Sequence, residues 1–232
     1  SKDVTFLLKV VEIATTDVAE KERLIQAGVH YSEMLSEEKS PSADYLRLFH
    51  RALDMNGEKL AQHIADLALT LQYRICSEVV IVSLARAGTP IGVLLHRALG
   101  ALGKQSKHYC VSIIRDRGID WQALDYICAN HNSRNIVFVD GWTGKGVITR
   151  ELAASVSDYN RSRGTSIDPA LWVVADLAGS ATVGATEEDY LIPNAVLNAT
   201  VSGLISRTVL STLYVGEGDF HACAYYEDKL GE

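Results

Sequence analysis

Three short stretches hold most of the side chains able to do chemistry. The sharpest is Asp140-Gly141-Trp142-Thr143-Gly144-Lys145-Gly146, directly after the apolar run Ile136-Val137-Phe138-Val139. A carboxylate at a strand end followed by a Thr-Gly-Lys-Gly turn opening a helix suits a phosphate monoester. The first helical N–H groups have no intrahelical partner, and glycine lets them approach an anion. The stretch is not a P-loop: Val139 stands where the first glycine belongs and Gly146 where a hydroxyl must follow the lysine. Asp140 is then free to hold sugar hydroxyls or a metal. The second stretch, Ser83-Leu84-Ala85-Arg86-Ala87-Gly88-Thr89-Pro90, pairs small residues with one arginine. It reads as an anion loop or as a tight strand-to-helix turn with Pro90 in the first helical position. The third, Arg115-Asp116-Arg117-Gly118-Ile119-Asp120, is either an arginine-bearing flap over a polyanion or a solvated turn whose charges pair with each other.

These loops share one site only if the elements before them line up in an open α/β sheet, where ligands lie outside the carboxyl ends of the strands. From Glu78 the chain has that rhythm. Short runs Val79–Val82, Tyr109–Ile114, Ile136–Val139 and Leu171–Ala175 alternate with helical periodicity over Pro90–Leu102, Trp121–Ala129 and Gly146–Tyr159. The expected fold is α/β, an open and mainly parallel sheet with flanking helices. Residues 1–75 read as a helical N-terminal extension, with helices over Glu20–Gly28, Tyr45–Met55 and Gly57–Tyr73. Residues 76–232 read as the α/β domain, with a hood from about 178. In that late region Asn194, Asn198, Ser202, Ser206 and Arg207 fall near four-residue steps, as on one polar face of a helix within Ala195–Leu213. Asp176, after the fourth strand, and Asp189 are alternatives for contacting a base or a metal.

Composition narrows the function classes. The 232 residues carry a formal charge of −7 and are 47% hydrophobic, enough apolar surface for a core. The acidic balance argues against a dedicated nucleic-acid protein. No run reaches the roughly 18 apolar residues of a membrane span, and a cytoplasmic protein is expected. Cys76, Cys110, Cys128 and Cys223 show no paired spacing and read as free thiols, Cys76 and Cys110 as core. The seven histidines show no ligand spacing, so any Mg²⁺ is expected mainly through ligand phosphates. His221-Ala222-Cys223 supplies two residue types of a thiol protease, with uncertain pairing geometry.

The stretch Val137–Gly146 is similar to the phosphoribosyl-diphosphate (PRPP) loop of type I phosphoribosyltransferases. Leu84–Gly88 resembles their pyrophosphate loop, and Asp189-Tyr190-Leu191-Ile192-Pro193 resembles the hood strand of the purine-specific members. More narrowly, ARAGTPIG, SIIRDRGID, FVDGWTGKG, DYLIP and SGLISRTVL resemble the phosphoribosyltransferase-like family of tellurite-resistance and stress gene clusters, some of whose members carry the label cysteine protease StiP. The resemblance implies a transferase that binds PRPP or a related ribose phosphate with Mg²⁺ and exchanges the phosphoribosyl group with a base-like acceptor. It implies that Asp140, Arg86, Arg115 and Arg117 serve the reacting centre, Asp140 also meeting Mg²⁺. Gly141, Thr143, Gly144, Lys145 and Gly146 would bind the 5-phosphate, and Ala87 and Gly88 with Arg86 the pyrophosphate. Trp142, Asp176, Asp189, Tyr190, Ile192, Asn198 and Arg207 are the acceptor-side candidates, and dimers are common in the resembled family. One departure stands out: the resembled loop has two adjacent acids, whereas here Asp140 stands alone. The alternatives are a non-catalytic nucleotide or PRPP sensor and a protease using Cys223.

Overall fold

A computed structural model of the chain describes residues 2–198, 200–201 and 205–226. Six parallel strands form the main sheet: β1 (Thr5–Leu7), β2 (Val79–Leu84), β3 (Ser106–Val111), β4 (Ile136–Thr143), β5 (Leu171–Asp176) and β6 (Val183–Thr186), in the spatial order β1-β3-β2-β4-β5-β6. The helices are α1 (Val18–Gln26), α2 (Ala43–Arg74), α3 (Gly88–Ala101), α4 (Trp121–Asn130) and α5 (Val147–Arg163). The expected α/β architecture is therefore present, with each central strand within a few residues of its expected span.

The central strands are apolar on both faces because both faces are covered. Val80, Val82, Ile136, Phe138, Leu171 and Val173 bury against α4 and α5, whereas Val79, Ile81, Val137, Val139, Trp172 and Val174 bury against α2 and α3. Each fully buried aliphatic side chain contributes roughly 1.5–3 kcal/mol, so the ends of β2 and β4 are rigid mounts for the loops that follow. The chain runs from β2 to β3 on one side and from β4 to β5 on the other. The sheet's switch point, where a crevice must open, thus lies between the carboxyl ends of β2 and β4.

Three expectations are corrected. Residues 43–74 form one 32-residue helix instead of two, because Gly57 costs only about 1 kcal/mol in a helix and Leu60, Ile64, Leu67, Ala68 and Leu71 anchor the rest. Residues 1–75 are not helical alone: β1 pairs with β3 in the register Thr5 to Tyr109 and so belongs to the sheet. After Pro193–Leu197, a 3₁₀ turn, no helix continues among the described residues. Instead Ile205 and Val209 bridge to Tyr225 and Ala222 in antiparallel fashion, so Asn194, Asn198 and Ser206 share no helical face; Ser202 lies outside the described residues.

Candidate active site

Two cavities meet at the switch point, and Asp140 lines both. The larger, about 270 Å³, is walled by Leu84, Ala85, Arg86 and Ala87 from the loop after β2, with Asn198 and Arg207 opposite. The smaller, about 130 Å³, is walled by Trp142 to Thr149. Asp140 follows Phe138 at the strand period of two, which places its carboxyl on the α5 face of the sheet, where α4 and α5 leave the crevice open. Its Oδ1 accepts the Gly141 N–H at 2.7 Å. Among the described residues no cation pairs with it, and burial pushes its pKa up to about 7.

Beyond Asp140 the strand runs longer than its apolar stretch, because Trp142 pairs with Ala175 and Thr143 with Asp176. Only Gly144, Lys145 and Gly146 are left to turn the chain into α5. Gly146 is the N-cap residue at φ +69°, a left-handed conformation that favours glycine, and no side chain caps the helix. The first amides of α5 therefore face the smaller cavity unclaimed by any capping group, with exposed Lys145 beside them. Leu152, Val156 and Tyr159 fix the helix against the sheet, so this turn is held from both ends.

Two expected site residues are occupied elsewhere. The Thr143 hydroxyl donates to Asp176 Oδ1 at 2.6 Å and accepts the Ala178 N–H at 3.0 Å. Asp176 also accepts the amides of Ser180 and Ala181 at 3.0 and 3.2 Å. Burial opposes ionisation of Asp176, but these hydrogen bonds outweigh it and hold the carboxyl below its usual range. Thr143 and Asp176 thus clamp the β5–β6 turn, with the Thr143 hydroxyl engaged within the chain although Thr143 lines the smaller cavity.

The loop after β2 is closed in a different way. Arg86 forks onto Glu38, Nη1 to Oε2 at 2.7 Å and Nη2 to Oε1 at 2.8 Å, with both side chains almost wholly buried. Nη1 also donates to the Ile205 carbonyl at 3.3 Å, and Nη2 to that of Asn198 at 2.7 Å. All four N–H bonds of the two terminal nitrogens are thereby used within the chain. Gly88 is required for packing: a Cβ there would lie 2.5 Å from the Val139 carbonyl oxygen. Ala87 lines the cavity as expected, and the Ala85–Arg86 peptide bond is cis. Glu38, the partner that decides the state of Arg86, was not singled out in the sequence; within Ser36-Glu37-Glu38-Lys39 nothing distinguishes it from a surface acid.

The family described as tellurite-like stress resistance cysteine protease StiP matches residues 1–231. The chain belongs to the StiP family. It is 50% identical over 210 residues to the protein named cysteine protease StiP from Acinetobacter baylyi (strain ATCC 33305 / BD413 / ADP1), a match covering 90% of this chain and 54% of that relative. This StiP-family chain thus spans about half the length of the curated relative it matches. Among solved structures it is similar to the hypoxanthine phosphoribosyltransferase of Trypanosoma cruzi, with a TM-score of 0.43, 12% identity and coverage of 73% of this chain and 94% of that one. A hypoxanthine phosphoribosyltransferase from Staphylococcus aureus aligns with a TM-score of 0.42, 8% identity and coverage of 58% and 76%.

In this StiP-family chain the expected flap is a small hairpin, Ile113–Ile114 paired with Gly118–Ile119. It is pinned by the Arg115 N–H on the Tyr31 hydroxyl, the Asp116 N–H on Glu151 and the Ile119 N–H on Ser155. Arg115 and Arg117 point to solvent with Asp116 and Glu33 as their neighbours, and neither lines the crevice cavities. The acceptor-side candidates divide. Ile192 is buried in the α2–α3 core, and Tyr190 bonds His63 at 3.0 Å beneath Lys59, so both serve packing. Asp189 is exposed, outside the crevice lining, and Trp142 packs partly against the core while lining the smaller cavity. Only Asn198 and Arg207 face the larger cavity across from Asp140.

Among the described residues no thiol is hydrogen-bonded to a histidine. Cys223 is fully buried among Val4, Leu8, Cys110 and Ile205, and burial pushes its thiol up to about 12. His221 instead bonds the Ser112 hydroxyl at 2.9 Å. Cys76, expected in the core, is exposed because it follows the end of α2.

Proposed function

We propose that the crevice between β2 and β4 binds the phosphoribosyl group of a nucleotide-like or PRPP-like ligand and exchanges it with a base-like acceptor. The observation that carries this reading is Asp140, an unpaired carboxyl common to two cavities, one of which is lined by the uncapped start of α5. A 5-phosphate would sit on the turn Gly144–Gly146 and the first amides of α5, with Lys145 as counter-charge. The ribose would then extend over Asp140, whose oxygens accept from its hydroxyls. Burial raises its pKa towards neutrality, so the carboxylate can support positive charge at C1 or take the proton that the acceptor loses. In the transfer the bond from C1 to its substituent breaks and a bond from C1 to the acceptor forms. Positioning and charge stabilisation do the work, with no covalent enzyme intermediate.

Mg²⁺ fits this donor set only as part of a ligand complex. Among the described residues no three acids, histidines or cysteines cluster, and Asp140 is the one carboxylate at the crevice. Bound through ligand phosphates, the ion would add charge neutralisation at the leaving oxygens. The relative's name raises proteolysis, but the burial of Cys223 and its high thiol pKa do not favour it in this chain.

Calorimetric titration of ribose 5-phosphate and AMP, with Mg²⁺, into the wild type and Asp140→Asn tests the proposal. We expect micromolar binding, weakened about tenfold, or roughly 1.4 kcal/mol, by the substitution. Binding without any release or exchange of base would make the protein a sensor, and the absence of all binding would remove the proposal.

A further inference from the structure

The crevice is lined by two cations and one carboxylate, with a second carboxylate behind the cations, and their pairing is unequal. Arg86 and Arg207 line the larger cavity together with Asp140, while Glu38 stands behind both arginines, bonded to Arg86 by a buried fork and 3.7 Å from Arg207 Nε. An arginine recognises a diphosphate through two parallel N–H bonds. Those bonds are already made here to Glu38, and the two outward N–H groups are made to the Asn198 and Ile205 carbonyls. A diphosphate arriving at Ala85–Ala87 would meet a guanidinium with no free terminal N–H. It would also lie near a carboxylate whose negative charge it must either displace or endure. On the far side of Arg86, Ala87 and Asn198 the wall turns apolar: a cavity of about 410 Å³ is lined by Val4, Phe6, Phe49, Val93, Leu197 and Ile205. Among the described residues no carboxylate is hydrogen-bonded to the turn Gly144–Gly146, and Arg150 Nη1 donates to the Lys145 carbonyl at 3.4 Å.

We infer that Glu38 is a specificity-determining residue that occupies the diphosphate position of Arg86, so that the protein takes pentose 5-phosphates whose C1 substituent is uncharged, as in a nucleoside 5'-monophosphate, in preference to a 1-diphosphate. The inference rests on the phosphoribosyl reading above and names the substrate class of that site. The same fork accounts for Arg86 as a strut: it ties the segment around Glu38 to the late segment at Asn198 and Ile205 across the mouth of the crevice.

The test is a set of titrations of ribose 5-phosphate, AMP, PRPP and inorganic pyrophosphate, each with Mg²⁺, into the wild type and Glu38→Gln. The wild type should bind PRPP no more tightly than ribose 5-phosphate or AMP and should not bind pyrophosphate. Glu38→Gln should raise PRPP affinity at least tenfold and leave ribose 5-phosphate unchanged. If the unpaired guanidinium unfolds that variant, Glu38→Asp, which keeps the charge but withdraws the fork by one methylene, should show the same selective gain at smaller size. A wild type that prefers PRPP over ribose 5-phosphate by tenfold or more, or a Glu38 variant that changes both ligands equally, would overturn the inference while leaving the phosphoribosyl site standing. No binding of any ribose phosphate would overturn both.

Discussion

The loops after β2 and β4 begin alike and end differently. Each stretch follows a buried apolar run, Val79–Val82 or Ile136–Val139, carries a charged side chain at or just beyond the strand end and a glycine, and leads into a helix. After β2 the charge is spent inside the chain: Arg86 is held by Glu38 and two carbonyls, and Gly88 lets α3 close on the Val139 carbonyl. After β4 the charge is left unspent: Asp140 faces two cavities without a cationic partner, and α5 starts without a side-chain cap. The difference teaches that a charged residue at a strand end can be consumed by an internal counter-charge, as at Arg86, or left facing a cavity, as at Asp140. The cost of that openness is borne by Asp140, whose half-buried carboxyl has one backbone hydrogen bond and no cationic partner among the described residues, and whose pKa rises.

The sharpest way to break this contrast is to exchange the roles of the two charges. Arg86→Ala should leave the Glu38 carboxylate buried and unpaired, a loss of about 3–5 kcal/mol in denaturant unfolding, with little change in ribose 5-phosphate affinity of the folded protein. Asp140→Asn should do the reverse to stability, and with a defined pH signature. Because the folded pKa of Asp140 is raised, its favourable contribution is full below about pH 4 and is lost as pH rises through about 7. The asparagine variant should therefore match the wild type near pH 4 and exceed it by on the order of 4 kcal/mol at pH 8, about 1.4 kcal/mol for each of roughly three pKa units. The smallest effect belongs to Lys145→Ala. An exposed lysine should cost stability less than about 0.5 kcal/mol, while ribose 5-phosphate affinity falls about tenfold, roughly 1.4 kcal/mol. Thermal or denaturant unfolding paired with calorimetry reads all three.

The legible part of the molecule was whatever is written in contiguous residues. Val79–Val82 and Ile136–Val139 announce buried parallel strands, and Asp140 and Gly144–Gly146 follow them closely enough to be placed at the crevice from order alone. Residues whose state depends on distant partners were not legible. Thr143 resembles a phosphate ligand until Asp176, across the neighbouring strand, takes its hydroxyl. Arg86 resembles an anion ligand until Glu38, 48 residues earlier, takes its fork. The edge strands Thr5–Leu7 and Val183–Thr186 are short and acquire their identity only from the strands they pair with, and Tyr190 and Ile192 acquire theirs from α2.

The most direct measurement is a pair of ¹H–¹⁵N spectra following the backbone amides of Ala85–Thr89 and of Gly144–Ile148 while ribose 5-phosphate is added. The contrast between the two loops requires saturable shifts at Gly144–Ile148 that disappear in Asp140→Asn at the same ligand concentration, with Ala85–Thr89 largely unmoved. Shifts centred on Ala85–Thr89, or none in either loop at millimolar ligand, would contradict it.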